Sequence, residues 1–488
     1  MPQPFQAQPR LISRRALLGG LAATAGLVGG GLLWRRRPLR WRSGFTLQLL
    51  PSEPSDPGLN LLGLQWVVRA HLTALAPAFV VASSREENQL PLRRRAFQLQ
   101  LRPNRQGNLL APGFRWRRPG LPWNEVIGRP EEPAQAVATL LAALPEFFEP
   151  DPQGNLLPQT SELAWELINL APARRPLSEV PGLRGQLENL VAKAPNCALA
   201  WCLFGTAAYQ EILSKSDWIP EDRALAETCF KRAMDIVPGL PSAAGEMAQM
   251  LSDFGENGAA MAVLAQALRV HPHSEFLLRR LAYSARNAGL LEVAKAAVLK
   301  REAWMGRLEG IENALLYLGD FRQFEEGITN QVQNDGWSPS LRFYLGYSAL
   351  LRGDRDEALR RLREAGGQWS DTRFGSMGYV LWTWLEGRME DSLEALEKLV
   401  LQHFTLRTPD GEFIFKLAEL MALHGKTHRA LDLATRAAAH GFGCVQWYER
   451  NPFLAPIRGF LRFQAMLHTL RDRQAAQAEN FPPSAFGL

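Results

Sequence analysis

The sequence predicts a mainly α-helical solenoid of stacked helix pairs, preceded by a small α/β unit and an apolar N-terminal helix. Three observations carry this. Glycines recur at Gly255, Gly289, Gly319, Gly353, Gly387 and Gly425, spaced by 34, 30, 34, 34 and 38 residues. Each ends an apolar helix-like stretch and is soon followed by another, the signature of a helical array. Alanines recur in step with them, and Pro238 and Pro272 repeat the 34-residue period.

At 488 residues the chain is too long for one ordinary core, but each unit of a stacked array is buried against its neighbours. Of the net charge of +6, five positive charges come from Arg35, Arg36, Arg37, Arg40 and Arg42. The remainder is nearly balanced, so no nucleic-acid surface is expected. Cys197, Cys202, Cys229 and Cys444 show no metal spacing. Cys202 and Cys229 would lie at similar height in a helix hairpin, leaving a disulfide or two free thiols open.

Residues 1–15 form a basic tail, and Ala16–Trp34 are nineteen residues without a charge, just enough to span a bilayer. Ser13-Arg14-Arg15-Ala16-Leu17-Leu18 resembles the bacterial twin-arginine export signal. The segment reads best as an uncleaved single-pass anchor in a bacterial inner membrane. A signal cleaved near Ala25 and a wholly cytosolic chain stay open. Three arginines precede the span and five follow it, which argues for a cytoplasmic body. The export resemblance argues for a periplasmic one, the orientation preferred here.

After a basic linker at 35–43, an α/β unit is expected at 44–150. Phe45–Leu50 alternates as a strand, Leu61–Leu75 reads as a helix and Phe79–Ala82 as a strand. Phe97–Leu101 and Gly113–Trp116 form a hairpin across the turn Pro103–Asn108, and Pro133–Phe148 reads as an amphipathic helix. A linker with irregular helices fills 151–194. The array occupies 195–440, and a cap and tail occupy 441–488.

Trp201, Gly205, Ala226, Phe230, Ala233 and Pro238 resemble the signature positions of the tetratricopeptide repeat, with nine extra residues around Ser214–Pro220. Ala248, Gly255, Ala260, Ala267 and Pro272 repeat the pattern. So do Ala282, Gly289 and Ala294; Leu345, Gly346, Gly353, Ala358 and Ala365; and Ala418, Gly425, Ala430 and Ala437. Small residues let crossing helices approach, glycine ends the first helix at positive φ, and proline closes the second. About seven pairs are expected. The copy at Gly319 is degenerate, with Phe324 in place of alanine, and should be distorted.

The resemblance implies that a protein or peptide ligand lies along the concave face, against the first helix of each pair. By register that face carries Arg279, Tyr283, Arg286, Asn287, Asn313, Tyr317, Phe343, Tyr347, Phe374, Met377, Trp384, Phe415 and Glu419. Aromatics and arginines dominate interface energies. The competing reading is that several of them pack between repeats.

No catalytic constellation stands out, and no cofactor or metal is expected. Gly425-Lys426-Thr427 lacks the earlier glycine of a phosphate loop. His424 and His428 lack the intervening glutamate of a zinc helix, and His271-Pro272-His273 falls at a repeat-closing turn. Gly441-Phe442, the run Trp447–Gly459, and Arg462-Phe463 closely resemble a terminal motif of bacterial signalling proteins. In those proteins tetratricopeptide arrays follow a cyclase, a kinase or a winged-helix domain. No such output module is present in this sequence, so the chain resembles their non-catalytic sensory half. The expected role is a membrane-anchored interaction scaffold. The alternatives are a sensor whose α/β unit binds a small ligand, and an accessory protein escorted through the twin-arginine route.

Overall fold

The computed structural model describes residues 46–50, 61–75, 79–82, 96–106, 109–111, 113–117, 124–127, 129–133, 135–137, 156–158, 160–171, 182–214, 219–305, 308, 310–368, 371–405 and 410–488. The apolar segment 16–34 and its arginine flanks lie outside them. No helix among the described residues is long and apolar enough to cross a membrane.

The first part contains Thr46–Leu50 (β1), Leu61–Leu75 (α1), Phe79–Ala82 (β2), Ala96–Leu101 (β3), Asn104–Gln106 (β4), Leu109–Ala111 (β5), Gly113–Arg117 (β6) and Asn124–Ile127 (β7). Five strands form a mixed sheet in the order β2-β1-β3-β6-β7. β1 runs parallel to both neighbours, with Leu47 opposite Val80 and Phe97. β3 and β6 pair antiparallel with Leu101 opposite Phe114, the hairpin expected from alternation. Its turn is more elaborate than the sequence suggested, because β4 and β5 form their own ribbon. The short strand β7 has too little alternation to be foreseen. Most of the helix expected at Pro133–Phe148 lies outside the described residues.

Ser161–Leu170 (α2) and Leu183–Lys193 (α3) lead into the array. Its pairs are Ala198–Ser214 with Pro220–Ile236 (α4, α5), Pro241–Asp253 with Asn257–Val270 (α6, α7), and Glu275–Asn287 with Leu291–Met305 (α8, α9). Next come Asn313–Leu318 with Phe321–Asp335 (α10, α11), Pro339–Leu351 with Arg355–Gln368 (α12, α13), Arg373–Leu385 with Met389–Thr405 (α14, α15), and Gly411–Leu423 with Thr427–Ala439 (α16, α17). The cap comprises Val445–Arg450 (α18), a 3₁₀ segment at Pro452–Ile457, Leu461–Asn480 (α19) and a last 3₁₀ turn at Pro483–Phe486.

All six ladder glycines have positive φ, from +68° at Gly425 to +85° at Gly319. At each, the following N–H donates to the carbonyl five residues back, as in Glu256 to Leu251 and Asp354 to Ala349, at 2.8–2.9 Å. This double-bonded stop satisfies carbonyls that the helix leaves open. Helix starts are equally local: the side chains of Ser274, Asp320, Ser338, Thr372 and Asp410 each accept an N–H from their first turn. Ala226, Ala233, Ala260, Ala294, Ala358, Ala365, Ala430 and Ala437 are all fully buried. A Cβ at Gly205 would meet the Phe230 ring at 2.8 Å, and one at Gly346 would meet Leu362 at 2.7 Å. These are the close crossings of a tetratricopeptide-like helical repeat fold.

Two irregularities follow from the sequence. The nine extra residues of the first copy lengthen α4 and α5 to 17 residues each, against 13 and 14 in the next pair. At Gly319 the first helix α10 shrinks to six residues, and Phe324 fills the space against Tyr344. The apolar core runs without a break from α1 and β3 into the array. Cys202 and Cys229 are buried free thiols. His424 serves the turn: its Nε2 lies 2.8 Å from Ser392 Oγ and its Nδ1 2.7 Å from the Leu420 carbonyl.

Candidate functional site

The expected groove is closed by the chain itself. α16 is buried on every side from Gly411 to Ala422, as a helix apolar around its circumference requires. Yet Glu412, Lys416 and Glu419 interrupt its apolar sequence, and spacings of four and three place them in one stripe. That stripe meets the first helices α8, α10 and α12. Opposite walls of the same groove therefore touch.

Glu412 receives Arg286 at 2.5 Å and Asn313 Nδ2 at 2.9 Å, and the Tyr317 hydroxyl donates to it as well. Burial alone would raise the Glu412 carboxyl, but Arg286, Tyr317 and Lys416 outweigh it and hold the group below its usual range. Two turns along α16, Glu419 accepts from Tyr347 at 2.7 Å and from Asn451. Lys416 Nζ donates to the Tyr347 hydroxyl at 2.8 Å and lies 3.9 Å from the centre of that ring. Burial raises Glu419 and lowers Lys416, each opposed by the other's charge.

The cap completes the seam. Trp447 stacks on Tyr317 with ring centres 4.7 Å apart, and Phe453 meets Tyr347 edge-on. Gly443 N–H donates to the Asn287 carbonyl at 2.6 Å, and Asn257 Nδ2 donates to the Gly441 carbonyl at 2.7 Å. Backbone meets backbone here. A Cβ at Gly255 would lie 2.9 Å from the His440 carbonyl carbon, and one at Gly289 would lie 2.6 Å from the Gly443 oxygen. The same addition at Gly319, Gly353, Gly387 or Gly425 meets open space.

Asp253 sits beside the seam on α6. Tyr209 and Tyr283 donate to its two oxygens, the latter at 2.5 Å, and Gln249 adds a bond at 2.8 Å. Burial, with Asp410 nearby, pushes this carboxyl up to about 7 against the opposing pull of those three bonds. Farther along the same stripe of α6, Arg280 reaches Gln249 and Glu246, and Arg69 of α1 lies within electrostatic reach of Glu246, Glu275, Arg279 and Arg280. The α/β unit thus bears on the first helices α6 and α8.

This placement corrects the picture of an open groove. Arg286, Asn287, Asn313, Tyr317 and Tyr347 line the seam and are buried in it. Phe415 and Glu419 belong to the helix that fills the space, Phe415 packing on Phe442 and Tyr448. Phe343 and Met377 are buried, and Phe374 packs on Phe343 and Tyr344. Tyr283 and Trp384 are half-buried, while Arg279 is the most open of the set and pairs with Glu275. The superhelix curls tightly enough for its last pair to contact its third to fifth. Register within one repeat carries no information about that curl. Glu412, Asn451, Gly441, Gly443 and Asp253 were missed, although three charges on one face of an otherwise apolar helix signalled a buried ionic stripe.

A second cluster remains at the surface of α11–α14. Trp337 is 39% exposed between the guanidinium groups of Arg342 and Arg361, at 4.1 and 5.0 Å. Trp382 lies between Arg363 and Arg388 and meets Tyr379 edge-on.

No protein-family model and no curated protein matches the chain. Solved structures that resemble it include a tetratricopeptide repeat protein from Parabacteroides merdae, 16% identical over 55% of this chain and 99% of that one, with a TM-score of 0.34. A Rap protein complexed with competence and sporulation factor is 13% identical over 72% and 93%, with a TM-score of 0.33. A human IFIT1 dimer with PPP-AAAA is 13% identical over 62% and 78%, with a TM-score of 0.34.

Proposed function

We propose that the chain is a non-catalytic interaction scaffold that recruits partner proteins to a bacterial inner membrane, anchored there by residues 16–34. The observation that carries this reading is the arginine–tryptophan row Trp337, Arg342, Arg361, Trp382 and Arg388. Its Trp337 and Arg388 stay exposed, with Arg342, Arg361 and Trp382 half-buried beside them, while the groove farther along is filled from within. Tryptophan and arginine are enriched where partners bind tightly, because tryptophan buries large area at few torsions and arginine offers a planar fork of donors that also stacks.

The test is affinity purification of the intact chain from membranes under mild extraction, beside a Trp337→Ala/Arg361→Ala variant. A partner recovered with the first and lost with the second supports the scaffold. Recovery of no partner, or of the same set with both, counts against it. A salt or carbonate wash that strips the chain from membranes would remove the anchor.

A second reading, ligand sensing, draws on the contact of α1 with α6 and α8 near Arg69. It is tested by whether small-molecule binding to the chain alters amide exchange in α6 and α8.

A further inference from the structure

The receiving face of the seam is built from successive first helices, and its hydrogen-bonding capacity is only partly used. On that face Arg286 Nε, Asn287 Oδ1 and Asn313 Oδ1 are buried without a protein partner. The interface is ionic, like the buried contact of Arg301 with Glu275 and Glu312, whereas contacts such as α13 with α14 are apolar. A buried ion pair pays a large desolvation cost that apolar packing avoids, and its best-attested use is to select register or partner.

The helix that fills the face belongs to a unit with a core of its own. Phe415, Phe442, Tyr448 and Phe463 pack on one another. α16 packs chiefly on α17 and the 3₁₀ segment and touches α15 only lightly. Moving the terminal unit as a body separates the polar seam, the contacts of Phe442 and Trp447 with Tyr317 and the backbone bonds at Gly441 and Gly443, and leaves the contacts within that aromatic cluster intact.

We propose that the face of α8, α10 and α12 is a helix-binding surface occupied at rest by α16. It takes a partner helix with two acidic residues seven positions apart and a basic residue between them. Arg286, Asn313 and Tyr317 receive the first acid, and Tyr347 receives the second. The partner competes with α16 for one site, and its apparent affinity is reduced by the fraction of chains in which that site is closed. This inference rests on the scaffold reading and adds the chemistry of the partner.

The test uses the full chain and a fluorescent peptide of residues 411–423 carrying a polar tail, followed by anisotropy. A Glu412→Gln/Glu419→Gln chain, whose resident helix is weakened, binds the peptide at least about ten-fold more tightly than the unaltered chain. A peptide with the same two glutamines loses about ten-fold. Equal binding by both chains, equal binding of both peptides, or no binding overturns the proposal. Should the altered chain fail to fold by circular dichroism, amide exchange of the unaltered chain decides. Exchange of α16 through an opening smaller than global unfolding supports the proposal, and exchange only with global unfolding overturns it. If membrane partners are still recovered while the peptide test fails, this inference falls and the scaffold reading stands. Failure of both removes both.

Discussion

The contact between α13 and α14 and the contact between α8–α10 and α16 join helices of one chain by opposite means. In the first, Leu362, Ala365, Val380 and Leu381 are fully buried, and Gly366 and Gly378 let the backbones nearly touch. Its strength is apolar area and close packing, which tolerate little change of volume. In the second, Arg286, Glu412, Asn313 and Tyr317 bury charge and hydrogen bonds. Its strength depends on every partner being present, because each one lost leaves another unsatisfied in a dry site. Neighbour stacking is thus forgiving of sequence but strict in shape, whereas closure is strict in chemistry.

The largest effect should come from splitting the buried pair. Glu412→Ala leaves Arg286 charged and unpaired, at an expected cost of about 3–5 kcal/mol in urea unfolding. The double change Arg286→Met/Glu412→Leu removes the unpaired charge and should recover only part of that loss, because Asn313 and Tyr317 still lack their acceptor. If the single change proves neutral, the seam is not ionic in effect. The dry contact offers the control: Leu362→Ala should cost about 2–5 kcal/mol, with no partner change able to rescue it.

Glycines sharpen the same contrast. Gly353→Ala should lose only the left-handed backbone cost of about 1–2 kcal/mol. Gly255→Ala adds overpacking against His440 and Gly441, for about 1–3 kcal/mol more. Equal midpoint shifts for the two variants would mean that the backbone contact of closure contributes nothing.

Asp253 gives the comparison a pH axis. Its folded carboxyl is raised to about 7, so the native state holds a proton that the unfolded chain has released. The stability it contributes is complete below about pH 4 and is lost as pH rises through 7. Asp253→Asn, a mimic of the protonated form, should flatten that fall, by up to roughly 4 kcal/mol. The groups facing it are Tyr209, Tyr283, Gln249 and Asp410. Glu412 runs the other way: its lowered carboxyl contributes above the ordinary glutamate range and is lost in acid. An unchanged pH profile in Asp253→Asn would show that the site is wetter than its burial implies.

The smallest effect expected is at a helix start. Ser274→Ala removes the side-chain acceptor for the Leu277 N–H and should cost about 1 kcal/mol, measurable as a small midpoint shift.

Much of this was legible in the chain alone. The glycine ladder and the buried alanines at helix crossings are devices within one repeat or between neighbours. Their signals sit within a few dozen residues, so register suffices to read them. The distortion at Gly319 was legible for the same reason, as a short spacing and a phenylalanine in place of alanine. The hairpin of β3 and β6 was equally local, while its β4–β5 extension escaped a reading based on turn residues alone.

The fate of the groove belongs to the tertiary structure. Register assigns the residues from Arg279 to Glu419 to one face, and Arg286, Asn313, Tyr317 and Tyr347 meet Glu412 and Glu419 there. Whether that face is open depends on the small rotation between each pair and the next, summed along the array. Loop length and side-chain volume at every junction set that rotation, so no single position encodes it. Only the folded chain brings Glu412 to Arg286 across 126 residues and Gly441 to Asn257 across 184.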